Sequence, residues 1–216
     1  MSPWLNIRVR SSADSAFNSF LSNLNRFLRP QGFRRSGQRY GRETEQCWQI
    51  VALQRSRYSD IGEVRFTVNF GVTPKALMDF RNQNVSKIPL DWICPVRWRI
   101  GDLLMQGDLW WSSNEDALFR SALTAITTHL SETDLPFLSG LDSDRGILAM
   151  YSTGKVMGFE IDRDETRAVL FGHLGLDREA REALIQYEAK WVPAATSRRA
   201  ELFLKSYRNR FGFPAE

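Results

Sequence analysis

The sequence has little cysteine and little histidine, with two of each among 216 residues. Cys47 and Cys94 stand far apart in apolar or aromatic surroundings, which predicts buried free thiols in a reducing compartment and argues against a disulfide-stapled scaffold. His129 and His173 show no HxxxH spacing, and no CxxC occurs. We therefore expect neither a metal site nor a cofactor.

Long hydrophobic runs are also missing. No apolar run approaches the roughly 18 residues of a membrane span, and the amino end, MSPWLNIRVRSS, lacks the continuous apolar segment of a signal peptide. The sequence predicts a soluble cytoplasmic protein that does not enter a membrane.

Catalytic motifs are the third absence. Neither GxSxG nor GxGxxG occurs, and STGKV at 152–156 lacks both the earlier glycine and the final hydroxyl of a phosphate loop. Asp177, Glu188 and Lys190 carry the letters of a nuclease site but lie in strong helical periodicity, which favours surface ion pairs. The sequence favours a protein that is not an enzyme; a site assembled from scattered Glu, Arg and Tyr residues stays an alternative.

The sequence is rich in arginine and in aromatic residues. Of the 29 basic residues 24 are Arg, and the chain holds seven Trp and fourteen Phe. The net charge of +4 is local, because residues 1–58 carry +7 and residues 59–216 carry −3. Arginine pairs with carboxylates or phosphates in a bidentate manner and stacks on aromatic rings, so this composition favours a charged or planar partner.

Hydrophobic periodicity predicts an α+β fold. Apolar residues at helical spacing predict a first helix between Ser12 and Leu28 and a second one from Ser113 to Leu130. Between them, alternation predicts an antiparallel meander. Its segments are a short edge strand at 32–40, a polar turn at 41–46, a buried strand from 47, a strand at 63–72 and a strand at 95–101, with a loop at 73–92. We expect residues 1–140 to form this domain and residues 141–216 a helical extension packed on it.

Alternation also predicts a surface rich in arginine. Period two places Arg65, Arg97 and Arg99 on the wet face of the meander, and Arg55 and Arg57 at the polar end of the buried strand. Aromatic contact area would come from Tyr58, Tyr40 or Trp110. Two interpretations stay open: a solvated sheet face with no partner, and a face that binds one.

Several segments, taken in order, resemble a known family. They are GFRRSGQRYGRE, CWQIVALQRSRYS, RFTVNFGV, CPVRWRIGDLL and DLWW. Over residues from about 15 to 135 this pattern is similar to the bacterial family called domain of unknown function 4304. The resemblance implies a compact α+β domain without an assigned activity, and residues from about 155 onward match nothing in it. Its polar positions fall on Gln49, Gln54, Ser56, Asn69 and Arg99.

Within that pattern Gln54 and Asn69 are expected to face each other near the hairpin. Such a pair could satisfy buried backbone groups, or it could contact a ligand. Both are candidate residues of the partner-binding surface. That set is Gln54, Arg55, Arg57, Tyr58, Arg65, Asn69, Arg97 and Arg99.

Two binding functions follow from these features. The first is a protein that docks a partner with an acidic contact surface, such as an immunity or antitoxin-like protein that neutralises a toxin. The alternative is a nucleic-acid-binding protein that uses arginine and aromatic side chains on the sheet. The sequence does not identify the partner or the oligomeric state.

Overall fold

A computed structural model of the chain describes residues 12–57, 63–155, 157–195 and 197–213. One helix precedes the strands, a second interrupts them, and from residue 116 the described elements are all helices. The helices are α1 Ser12–Leu28, α2 Lys75–Phe80, α3 Asp116–His129, α4 Leu135–Ser139, α5 Asp144–Ser152, α6 Glu160–His173, α7 Asp177–Trp191 and α8 Ser197–Phe211. The strands are β1 Arg34–Ser36, β2 Arg39–Glu43, β3 Cys47–Arg55, β4 Val64–Pro74, β5 Val96–Arg99 and β6 Trp111–Ser113.

The α+β fold predicted from the sequence is confirmed. The strands form one antiparallel sheet in the order β1-β2-β3-β4-β5, and β6 pairs with the free part of β4. This is a meander, because each strand from β1 to β5 pairs with the next one along the chain.

The start of the meander differs from the prediction. The single edge strand expected at 32–40 is two strands, β1 and β2, that turn at Gly37 with a φ of +64°. The polar turn expected at 41–46 is shorter, because β2 continues to Glu43. The segment 73–92, expected as a loop, contains the helix α2.

One face of the sheet is covered by α1 and α3. The buried side of α1 carries the residues predicted for it, and the Phe17 ring lies 5.3 Å from Phe66 of β4 and 6.0 Å from Phe119 of α3, centroid to centroid. Edge-to-face and offset ring contacts of this kind add to the burial of apolar area. Tyr40 of β2 also lies on this side, fully buried, and its hydroxyl donates to the Leu21 carbonyl at 2.7 Å. Its expected role on the partner surface was therefore wrong.

The other face is covered over only part of its area. Trp48, Ile50 and Cys94 form a small apolar cluster there with Met78 of α2. The indole of Trp48 donates to the Val85 carbonyl at 2.8 Å, so the segment after α2 lies across β3. Beyond this cluster, toward the end of β3, the described residues leave the strands open.

The C-terminal helices pack on the first part of the chain. A second apolar cluster joins α6, α7 and α8 to Leu77 and Phe80 of α2. At its edge the carboxylate of Glu165 pairs with Arg81 at 2.7 Å and with Arg199 at 3.0 Å. The helical extension is thus present, whereas its predicted start at residue 141 stays a prediction, since α5 contributes Ile147 to the first core.

Two further observations concern the cysteines and the search for membrane-spanning helices. Cys47 and Cys94 are both free and buried, as predicted. Over the described ranges, no helix combines the length and the apolar character that crossing a membrane requires.

Candidate functional site

An open groove lies on the uncovered part of the sheet face. Its volume is about 1450 Å³, and strands β3, β4 and β5 form its floor. The β1–β2 turn borders it on one side, and the segments around Trp92, Trp110 and Phe159 border it on the other.

The strand register brings the predicted arginines together. Asn69 of β4 lies opposite Arg99 of β5, and Gly71 lies opposite Arg97. Residues directly opposite each other in an antiparallel pair point to the same face, and Arg65 shares that face because it is four residues before Asn69. Arg65, Arg97 and Arg99 therefore lie on one open face, and their role as partner contacts stays a prediction.

Arg55 corrects the expected surface. The register places it opposite Phe66, so its side chain turns to the helix-covered face. There the guanidinium pairs with Asp14 at 3.0 Å and lies over the Phe17 ring, 5.3 Å from its centroid. Because Arg55 lies among polar residues at the strand end, the sequence predicted a position on the open face, and that prediction was wrong.

The other two residues at this end have separate outcomes. Arg57 is exposed and borders the groove. Tyr58, which was expected to add aromatic contact area, lies outside the described residues.

Gln54 and Asn69 meet, as expected. The Asn69 amide donates to Gln54 Oε1 at 2.9 Å and to Asp91 Oδ2 at 3.3 Å. This chain of polar contacts crosses the groove floor from β3 to the segment before β5. By contrast Gln49 has a structural role, because it is buried on the helix side and donates to the Leu138 carbonyl at 2.5 Å.

At one end of the groove two guanidiniums stack on one indole. Arg65 and Arg99 lie 5.3 Å and 5.5 Å from the centroid of Trp110. The indole nitrogen donates to Asp108 at 2.9 Å, and Arg99 donates to the same carboxylate oxygen at 2.5 Å. Cation–π contact and hydrogen bonding together fix the orientation of these groups.

Asp108 is the acid of this cluster. Burial alone would raise the pKa of its carboxyl, but hydrogen bonds from Trp110 and Arg99, with the charges of Arg99 and Arg65, outweigh burial and hold the pKa below its usual value. Sequence reasoning missed Asp108. The signal in the sequence was that Asp108 stands two residues before Trp110. Trp110 alternates with Trp111, which faces the core and stacks on Phe66 at 6.1 Å.

At the other end Arg97 lies among two exposed aromatic residues. Its guanidinium stacks 4.1 Å from the centroid of Phe159, and its Nη1 donates to the Trp92 carbonyl at 2.6 Å. Trp92 is 61% exposed and Phe159 is 63% exposed. Sequence reasoning missed both, since neither stands in a patterned strand.

The groove is cationic. Apart from Arg55, whose side chain turns to the other face, five arginines and two aspartates are among the described residues that line it. Both aspartates accept hydrogen bonds from the strands of the groove floor. Asp91 accepts one from the Asn69 side-chain amide, and Asp102 accepts one from the Arg99 backbone N–H at 2.7 Å. Over the same described residues, no three His, Cys, Asp or Glu side chains cluster as metal ligands would. The arrangement therefore offers guanidinium donors and apolar area to an anionic partner.

Comparison with known proteins identifies a family. The family described as domain of unknown function (DUF4304) matches residues 24–140, more than half of the chain, and the protein belongs to it. The match contains the whole sheet and ends before α5, α6, α7 and α8. No curated protein and no solved structure matches.

Proposed function

We propose that this member of the family is a non-enzymatic binding protein, and that its groove docks an acidic surface of a protein partner. The observation that carries the proposal is the convergence of Arg65, Arg97 and Arg99 on one open sheet face. Arginine together with tryptophan is enriched at the residues that dominate binding energy in protein interfaces.

The charge of the groove favours an acidic partner. Without Arg55, five arginines stand against Asp91 and Asp102 in the lining and Asp108 at its end, so an excess of positive charge remains among the described residues. Complementary charge accelerates association and disfavours basic partners. Since surface charges are screened within about 10 Å at 0.1 M salt, capture should weaken as salt rises.

The Trp110 end of the groove favours protein over nucleic acid. A nucleobase would need an open ring face on which to stack. Trp110 already has two guanidiniums over its ring. A carboxylate can bind the outer edge of a stacked guanidinium without displacing it. Nucleic-acid binding is the alternative that the experiment below separates.

In its specific form the proposal makes the protein a bacterial immunity or antitoxin-like protein. A stoichiometric inhibitor acts by occupying its target, and it needs shape and charge rather than catalytic groups. The partner would then be a toxin with an acidic contact surface, and its gene would lie beside the gene of this protein.

Affinity capture from a lysate of the native host tests the binding function. The immobilised full chain should retain a discrete protein at low salt and release it as salt rises. The double variant Arg65→Ala, Arg97→Ala should lose it. The control Arg178→Ala, an exposed residue outside the groove, should retain it. Thermal melts should confirm that every variant is folded.

Two results would overturn the proposal. One is retention of the same protein by the wild type and the double variant alike. The other is that nuclease treatment of the lysate abolishes retention, or that a labelled oligothymidylate binds the groove with a steep salt dependence, which would assign the groove to nucleic acid.

A further inference from the structure

One wall of the groove comes from outside the matched family region. Phe159 follows the family match by nineteen residues and precedes α6. Gly158 sets its position, with a φ of +103° and a backbone so close to β5 that a Cβ would lie 2.3 Å from the Pro95 carbonyl oxygen. Only glycine suits both conditions, because other residues rarely adopt this φ and carry the clashing atom. The extension is therefore seated on the sheet at this point.

Phe159 and Trp92 both expose apolar area, and both residues contact one cation. Arg97 is the link, since it stacks on the first ring and donates to the carbonyl of the second residue. Both rings are more than 60% exposed. Large exposed aromatic side chains beside a cation in a groove are characteristic of binding sites.

We propose that Trp92, Arg97 and Phe159 form a subsite for an apolar side chain that lies next to a carboxylate in an extended segment of the partner protein. The two rings would cover the apolar side chain, and the Arg97 guanidinium would pair with the neighbouring carboxylate. This inference rests on the proposed protein-binding function and specifies the chemistry of the partner.

The opposite end of the groove adds a second acidic position. Arg65 lies six residues from Gly71 along β4, and Gly71 lies opposite Arg97. At about 3.3 Å per residue the backbone positions of the two arginines are about 20 Å apart. An extended segment of about seven residues spans that distance. We therefore expect a second acid about six residues from the apolar anchor, where it meets Arg65 beside Asp108 and Arg99.

Selection from a displayed library of random dodecapeptides on the full chain tests the subsite. The enriched peptides should carry a large apolar residue next to an acid, with a second acid farther along. Selection on Phe159→Ala should keep the acids and lose the apolar preference. For one synthetic peptide of the enriched type, fluorescence anisotropy should show at least a tenfold loss of affinity with Phe159→Ala, as for an interface hot spot.

Two variants serve as controls in the same measurement. Leu202→Ala removes an equally exposed apolar side chain that does not border the groove, and it should leave the affinity unchanged. Arg65→Ala should weaken binding of the peptide without changing the preference of the subsite for an apolar residue.

The outcomes separate this inference from the proposed function. Enriched peptides that are acidic but show no apolar preference would overturn the subsite and leave acidic docking in place. An apolar preference that persists in the selection on Phe159→Ala would also overturn the subsite and leave acidic docking in place. Failure to enrich any acidic sequence on the wild type would contradict both.

Discussion

Removal of the carboxylate of Glu165 is expected to destabilise the whole protein. This side chain is 5% exposed and accepts hydrogen bonds from Arg81 at 2.7 Å, from Arg199 at 3.0 Å and from the Tyr187 hydroxyl at 3.2 Å. The donors come from the segment after α2, from α8 and from α7, while Glu165 itself is on α6. The Glu165 carboxylate therefore connects α6, α7 and α8 within the extension and joins them to the family domain.

The expected magnitude follows from the burial of the acid. Truncation of one partner of a buried ion pair costs about 3–5 kcal/mol, because the remaining charges lose their compensation. Arg199 is about half exposed and recovers part of its hydration, so we expect the lower end for Glu165→Ala, about 3 kcal/mol. For a protein of this size that corresponds to a fall in Tm of about 6–12 °C.

The assay is urea unfolding followed by far-UV circular dichroism and tryptophan fluorescence. Both probes should report one coincident transition, shifted to lower urea in Glu165→Ala. The matched control is Glu188→Ala, which removes the exposed ion pair to Arg208 and should cost less than about 1 kcal/mol. The double variant Glu165→Ala, Arg199→Ala should destabilise by less than the sum of the single variants.

A loss below about 1 kcal/mol in Glu165→Ala would refute the reasoning, because it would mean that the pair behaves as an exposed one. Two separate transitions in the wild type would refute the claim that the network couples the extension to the sheet.

Three further predictions concern Asp134, Gly158 and the two cysteines. Burial raises the pKa of Asp134 to about 6 from an ordinary 3.8, so its contribution to stability, about 3 kcal/mol at most, is present below pH 4 and lost as pH rises through 6. In Asp134→Asn the urea midpoint should depend less on pH between pH 4 and 7, and at pH 7 it should be higher than that of the wild type. An unchanged pH dependence of the midpoint would contradict this. Gly158→Ala should cost about 1–3 kcal/mol through backbone strain alone and should lower peptide affinity; a wild-type Tm would show that the loop relaxes freely. Burial also raises the pKa of the Cys47 and Cys94 thiols, so Ellman's reagent should react slowly with the native protein and label two thiols in guanidinium; rapid native labelling would contradict the buried positions.

Periodicity in the sequence was sufficient to predict the elements that border the core. The spacing of Phe17, Phe20 and Leu24 marks one side of α1, and all three are buried. The alternation of Arg65 with Val64 and Phe66 marks the two faces of β4, and the structure agrees. Such patterns are local, because side-chain direction repeats every 3.6 residues in a helix and every two in a strand.

The sequence was insufficient where a position depends on register. Arg55 ends its strand among polar residues, and nothing local reveals that its partner is the core-facing Phe66. Tyr40 likewise looked like a surface tyrosine, yet the Leu21 carbonyl accepts its hydroxyl proton inside the core. A shift of one residue in the pairing would reverse the face of every side chain.

The sequence by itself determined which side chains within one strand share a face, and therefore that Arg65 on β4, and Arg97 with Arg99 on β5, would turn away from the core. Only the tertiary structure decided what stands around them. Trp92 and Phe159 reach the groove from segments 67 positions apart in the chain, and Asp108 reaches Arg99 at its end. Their meeting depends on how the loops and the extension pack on the sheet, and long-range packing leaves no periodic signal in the sequence.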